Sequence, residues 1–249
     1  MSFPPVRAVG RGAAWYRGDC HVHSVRSGGG ELTPEELALR ARAAGLDTIA
    51  TTEHRSAAEP GIWGHLAVEV WNGLWTSDLP WNADNEAALV EWGRSLAADI
   101  QTGAWRPAMG NSDTHLEGQI GIPHTVVFAE ELSTKAILAG IRSGRSWIAE
   151  SAAVEMSFTA HAEGRIAGVG ERLATHGGQV EVRAAVRGVP AASVSFHTDR
   201  GEVHRASLPS DGAGVVQWRT TAEDSAFVRI EVRHPNGNVA ALTNPIILT

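Results

Sequence analysis

The spacing of apolar residues changes character once along the chain, near residue 152. Before that point, short β-branched runs alternate with stretches of helical period. Residues 15–22 read as a first strand and residues 46–52 as a second. Between them Thr33-Pro34-Glu35-Glu36 opens a helix, with Thr33 as N-cap, Pro34 at the first helical position, Glu36 closing a capping box and Gly45 ending it. Strand, helix and strand in so short a span form a βαβ unit, hence a parallel pair. Farther on, residues 68–71 read as a strand and Asn72-Gly73 as a turn. Residues 85–102 read as a helix capped by Asp84 or Asn82, with Ala88, Leu89, Trp92, Leu96 and Ile100 on one face. Residues 107–110, 125–128 and 147–149 read as strands, and residues 133–143 as a helix closed by Gly144. After residue 152 the period becomes two and helices stop. Residues 180–184, 194–196 and 228–232 alternate, and Asp211-Gly212 and Pro235-Asn236-Gly237 supply hairpin turns. The pattern divides the chain into an α/β part, residues 1–151, and a small all-β sandwich, residues 152–249.

Composition narrows the function classes. A hydrophobic fraction of 43% is enough for real cores, so disorder is not the default. The net charge is −7, and most of the excess lies in residues 1–150, with 12 basic and 18 acidic side chains. That balance suits a cation site and equally an ordinary solvated surface. No basic block points to nucleic acid, and no apolar run reaches membrane-spanning length. The opening residues carry no apolar leader, so a cytoplasmic location is expected. The single Cys20 excludes an internal disulfide.

The chemistry concentrates in Gly18-Asp19-Cys20-His21-Val22-His23-Ser24, at the end of the first strand. Alternate residues of a strand face one way, so Asp19, His21 and His23 point together. Two imidazoles side by side, with a carboxylate behind, make a clamp for a transition metal. Two more short motifs, Glu53-His54 and Asp113-Thr114-His115, fall at two further strand ends. In a β/α barrel such ends share one face. A lone His-x-His or Asp-x-His is more often an accident than a ligand pair; recurrence at three strand ends reverses that.

The segments Gly-Asp-Cys-His-Val-His-Ser, Thr-Thr-Glu-His and Gly-Asn-Ser-Asp-Thr-His resemble the first, second and last motifs of the PHP (polymerase and histidinol phosphatase) metallohydrolases. The stretches at residues 68–73 and 140–147 are also similar to family segments. The Leu-Thr-Asn-Pro-Ile phrase at residues 242–246 resembles the sandwich ending of the CehA/McbA-like branch. The resemblance implies a distorted (β/α)7-type barrel, divalent Zn, Mn or Fe ions, two of them, and metal-activated water attacking a phosphate ester or related small ester. It places His21, His23 and Asp113 on one metal and His54 and His115 on another, with Glu53 orienting ligands or handling protons. The family's middle section, which carries a bridging Glu and two further His ligands, has only residues 55–67 in its place. The barrel is therefore expected to be incomplete, and a catalytically impaired remnant serving as a metal-binding or interaction module is the rival reading.

Other candidates are weaker. Arg26 and Arg55 each follow a metal motif and are placed with Glu53 as catalytic candidates that grip substrate phosphate, against the plain alternative of solvated loop arginines. Glu59 and Glu69 are stand-ins for the missing carboxylate. The triglycine at residues 28–30 offers backbone amides to a phosphate. His124 reads as structural, and His161, His176, His197, His204 and His234 as surface. Trp63, Trp71, Trp75, Trp81, Trp92 and Trp105 read as packing before they read as a substrate pocket. A small-molecule ester is the expected partner, and a homodimer covering the open sheet edge is an alternative assembly.

Overall fold

A computed structural model describes residues 11–27, 29–54, 66–73 and 81–249. The capping box forms as its residues dictate. The Thr33 hydroxyl accepts the Glu36 N–H, and the Glu36 carboxylate accepts the Thr33 N–H at 2.8 Å. It starts α1 (Pro34–Ala43), which carries the chain from β1 (Ala14–Val22) to β2 (Thr48–Thr51), and the two strands pair in parallel. Gly45 leaves the helix at φ +79°, a conformation that costs glycine little.

A second parallel pair, β3 (Val68–Asn72) and β4 (Ala108–Asn111), is linked through α2 (Ala83–Asp99), whose N-cap is Asn82. β5 (His124–Ala129) then runs antiparallel to β1, and β6 (Ser146–Ala149) antiparallel to β5. The second reversal follows from α3 (Thr134–Arg142). This helix begins beside the end of β5 and returns the chain at that same end, where Val127 faces Ser146. A Cβ on Gly140 would fall 2.4 Å from the Phe128 carbonyl oxygen, so glycine is required for α3 to lie this close.

The later residues form two facing sheets. β7 (Glu155–Ala162), β8 (Arg165–Gly168), β10 (Val180–Arg187) and β13 (Gly214–Thr220) make one, in the order β13-β10-β7-β8. Opposite lie β11 (Ser193–Thr198), β12 (Gly201–Ser207), β14 (Phe227–Arg233) and β15 (Val239–Thr243), with β16 (Ile246–Leu248) pairing β14 and β9 (Arg172–Leu173). Val182, Ala184, Val194, Phe196, Ile230 and Val232 fill the space between them. Pro235-Asn236-Gly237 makes the β14–β15 hairpin turn. Asp211-Gly212 does not make a hairpin: it carries the chain from β12 in one sheet to β13 in the other. Gly212 is wedged there, where a Cβ would lie 2.7 Å from the Pro190 nitrogen.

β15 also pairs with β6, so one ladder runs β12-β11-β14-β15-β6-β5-β1-β2, across the division drawn after residue 151. The chain is thus a mixed α/β protein rich in strands. A closed seven-stranded barrel is not seen among the described residues. The physical reason is that β15 occupies the edge of β6 where a next barrel strand would sit, and β5 opposes β1.

Two buried polar clusters fasten the halves. The Asn244 side chain accepts the Ala108 N–H at 2.7 Å and donates to the Ala108 and Ser146 carbonyls, each at 3.0 Å. The polar side of β14 is buried too, because α2 covers it. Arg229 bonds Glu231 at 2.7 Å, and Arg233 bridges Glu231 to Glu86 of α2 with contacts of 2.9 and 3.0 Å. Their guanidinium groups lie over Trp92 and Trp81. These tryptophans and Trp71 are core residues, while Trp63 and Trp75 lie outside the described residues. His197 is not on the surface as its spacing suggested. It lies 3.5 Å from Glu231 and 3.0 Å from the Ser195 hydroxyl. Burial, and then Arg229, push its pKa down to about 4. Burial alone would raise Glu231, but Arg229, His197 and Arg233 outweigh it and hold the carboxyl at about 2.

Asn244→Ala removes partners from three buried backbone groups and is expected to cost roughly 2–3 kcal/mol of stability, read by chemical denaturation. Asn244→Asp should be no milder, since a carboxylate cannot donate to the Ala108 and Ser146 carbonyls. The neutral His197 ring contributes fully above the ordinary histidine pKa of 6.5, and that contribution disappears as pH falls toward 4. Glu231 adds a second loss from pH 4.5 down toward 2. His197→Gln should therefore flatten the stability-versus-pH curve between pH 6.5 and 4 by up to about one proton, measured as denaturation midpoints across that range.

Candidate metal centre

Three strand ends meet at one rim. β1 ends in His21-Val22-His23, β2 leads into Glu53-His54, and β4 into Asp113-Thr114-His115. Val22 and Thr114 form a parallel bridge, the His23 N–H donates to the Thr114 carbonyl at 2.9 Å, and the Thr52 N–H to the Val22 carbonyl at 2.9 Å. Backbone pairing thus fixes the three motifs against one another before any side chain meets.

Asp113 is the hub. Its Oδ1 lies 3.1 Å from His23 Nε2, 3.2 Å from His21 Nε2 and 3.5 Å from His115 Nδ1. The residue adopts φ +51°, a left-handed conformation that non-glycine residues adopt at a cost. Its neighbours impose it. The Ser112 N–H donates to Asp19 at 3.1 Å, and Gly73 packs so closely on the Ser112 carbonyl that a Cβ would come within 2.1 Å. Burial would raise the Asp113 pKa, but His23, His21 and His115 in their protonated forms outweigh burial and hold it below the ordinary value.

Two imidazoles stack on His23, and that of His21 meets it edge-on. The rings of His54 and His115 lie 4.2 and 4.3 Å from that of His23, and His54 Nε2 is 3.3 Å from His115 Nε2. Two tautomers follow from the partners. His21 Nδ1 faces the Glu69 carboxylate at 3.0 Å, and His115 Nδ1 faces the Asp113 carbonyl at 2.9 Å. Both partners can only accept, so each Nδ1 carries the proton and each Nε2 presents a lone pair. Burial disfavours the His21 cation, but Glu69, Asp113 and Asp19 more than compensate and raise its pKa.

Two groups of ligand atoms result, each with its atoms within 4.8 Å of one another: His21, His23 and Asp113, and His23, His54 and His115. His23 belongs to both. His23 Nε2 and Asp113 Oδ1 are buried and have no hydrogen-bond partner among the described residues, although they lie 3.1 Å apart. Leaving two such atoms unsatisfied costs about 1–3 kcal/mol each. A divalent cation between them would satisfy both, and imidazole nitrogen with carboxylate oxygen is the donor set that zinc, manganese or iron accepts. The residues therefore fit a metal.

Other expected roles fall differently. Asp19 shares the face of His21 and His23 but is fully buried, and its carboxylate is occupied by the Ser112 and Gly121 N–H groups. It straps the β4 loop in place, and burial pushes its pKa up to about 6. Glu69 meets His21 on the side away from Asp113 and accepts from the Asn111 amide at 2.7 Å, so it orients a ligand where the sequence offered it as a substitute ligand. Glu53 accepts from the Ser24 N–H and from the Ser24 and Ser27 hydroxyls; burial would raise its pKa, but these bonds together outweigh burial and lower it. Arg26 is exposed and pairs with no carboxylate among the described residues. Arg55, Glu59 and Gly28 lie outside the described residues. Gly30 is needed for packing: a Cβ there would fall 2.2 Å from the Ser24 carbonyl oxygen. Ser24, Ser27, Asn111 and Gln119, whose side chain accepts the His115 and Leu116 N–H groups, were not singled out by the sequence. Small polar residues beside ligand motifs were the available signal.

No protein-family model and no curated protein matches the chain. Among solved structures, a two-domain protein containing a predicted PHP-like metal-dependent phosphoesterase from Bacteroides vulgatus is 15% identical with a TM-score of 0.38, over 99% of this chain and 98% of that one. A CARDB domain from Pyrococcus furiosus is 14% identical with a TM-score of 0.23, over 39% of this chain and 95% of that one. At such TM-scores neither likeness bears on function, which rests on the site itself.

Proposed function

We propose that this chain is a metal-dependent hydrolase of PHP type, related to the CehA/McbA-like branch and acting on a phosphate ester or related small ester. The observation that carries the reading is the facing pair of buried, unpartnered atoms, His23 Nε2 and Asp113 Oδ1, ringed by further imidazoles. His21, His23 and Asp113 hold one divalent ion, zinc, manganese or iron, and His54 and His115 bind a second. When bound, such ions polarise an ester oxygen and lower the pKa of water toward neutrality.

The chain's own groups prepare the site. Glu69 holds the proton of His21 at Nδ1, and the Asp113 carbonyl does the same for His115, so Nε2 of each is the nitrogen left to a cation. His54 is exposed at the rim and His21 and His115 are partly so, which gives a small ester access from one side. Arg26 stands exposed next to the first motif, where its guanidinium can meet a phosphate dianion. No helix among the described residues is long and apolar enough to cross a membrane.

Hydrolysis of a generic aryl phosphate, assayed with Zn²⁺, Mn²⁺ or Fe²⁺ supplied in turn, tests the reading. We expect metal-dependent turnover that falls at least about 100-fold in His23→Ala and Asp113→Ala, with unchanged circular dichroism. Turnover that is absent with every metal, or indifferent to both substitutions, would favour a module that binds without catalysis. Arg26→Ala should raise KM for the dianionic ester about tenfold and leave kcat within a few-fold, checked by steady-state kinetics.

A further inference from the structure

Ser27 is 2% exposed and stands where three groups of the centre meet. Its Oγ lies 3.1 Å from His23 Nδ1 and 2.5 Å from Glu53 Oε2, and it accepts the His54 N–H at 3.0 Å. A hydroxyl has one proton and two lone pairs. The Glu53 carboxylate can only accept, and it already gathers the Ser24 N–H and the Ser24 hydroxyl. The Ser27 proton is therefore committed to Glu53. One Ser27 lone pair takes the His54 N–H, and the other is left for His23 Nδ1–H.

We propose that Ser27, with its proton directed by Glu53, is a positioning residue that fixes the tautomer of His23 and thereby opens the metal site. The inference rests on reading the cluster as a metal centre. It concerns a ligand whose tautomer no accept-only partner fixes directly. His21 and His115 each face an oxygen that can only accept, whereas His23 faces a hydroxyl that can do either. His23 is also the most buried of the four histidines and belongs to both ligand groups. With the proton on Nδ1, Nε2 turns a lone pair toward the space shared with Asp113 Oδ1. With the proton on Nε2, an N–H would occupy the atom that a cation needs, 3.1 Å from the carboxylate oxygen. The Glu53–Ser27 pair opposes this closed arrangement. It also ties the His54 backbone to the same hydroxyl, so one atom sets the direction of one ligand and the position of another.

The test uses the full chain. Long-range ¹H–¹⁵N spectra of the metal-free protein report which His23 nitrogen carries the proton, and Zn²⁺ competition against a chromophoric chelator reports affinity. For the wild type we expect His23 protonated at Nδ1 only. Ser27→Ala should release the Nε2–H form and weaken Zn²⁺ binding by about 10–100-fold, as loss of a partner behind a histidine ligand does. Ser27→Thr, which keeps the hydroxyl, should restore the tautomer and most of the affinity. Glu53→Gln, which frees the Ser27 proton to turn, is the second variant if Ser27→Ala does not fold. His23 protonated at Nε2 in the wild type would overturn the assignment, as would Ser27→Ala and Glu53→Gln proteins with unchanged tautomer and affinity. A wild type that shows the Nδ1–H form and yet binds no Zn²⁺ overturns instead the reading of a metal centre, so the two failures are distinct.

Discussion

His23 Nε2 and Asp113 Oδ1, 3.1 Å apart, both buried and neither hydrogen-bonded among the described residues, form the constraint on which the candidate centre depends. Folding strips water from both atoms, and no described residue gives either a hydrogen bond in return. A natural fold tolerates such a pair where something else is to be bound. The surrounding imidazoles make that something a cation. His21 and His115 point their own lone pairs inward, because Glu69 and the Asp113 carbonyl hold their protons on the other side.

The rest of the fold holds this geometry against its own cost. Asp113 sits at a positive φ because its loop is strapped by Asp19 through Ser112 and Gly121 and paired to β1 through Thr114. β4, which delivers Asp113, is held from behind by Asn244, a residue of the C-terminal segment 136 positions away. α2, which packs on β3, is in turn docked on β14 by the Glu86–Arg233–Glu231–Arg229 chain. The β-sandwich therefore contributes to the site without lending it a ligand. Its strands extend the sheet that carries β1, and its polar residues brace the strand that carries the aspartate.

Local elements were legible in the residues because their causes are local. The capping box at Thr33, the ends at Gly45 and Gly144, and the period-two strands all follow from neighbours in sequence. Three metal-type motifs could be aligned because strand ends are visible in the pattern. What could not be read depends on partners far apart. Arg229, Glu231 and Arg233 alternate as a solvent face would, and only the docking of α2 buries them. His197 looked like a surface residue for the same reason. Asp19 faced the right way to be a ligand, and nothing local could reveal that two backbone amides would occupy it. Glu69 was offered as a stand-in carboxylate, and its contact with His21 spans 48 positions; Ser27 was passed over because a serine in a glycine-rich loop carries no signal until Glu53 and His23 are seen on either side. The barrel was inferred from resemblance, and the pairing of β15 with β6 is a contact between residues about 90 apart that no window of sequence contains.

Metal content tests the central claim most directly. Inductively coupled plasma mass spectrometry on protein purified without chelator, with Asp113→Ala in parallel, counts the ions per chain. About two transition-metal ions in the wild type, with most of them lost in the variant, is the expected result for a centre of this donor set. A wild type that remains folded and carries less than about a tenth of an ion per chain after incubation with Zn²⁺, Mn²⁺ and Fe²⁺ would contradict the account, because coordination as tight as that of a built site would survive purification.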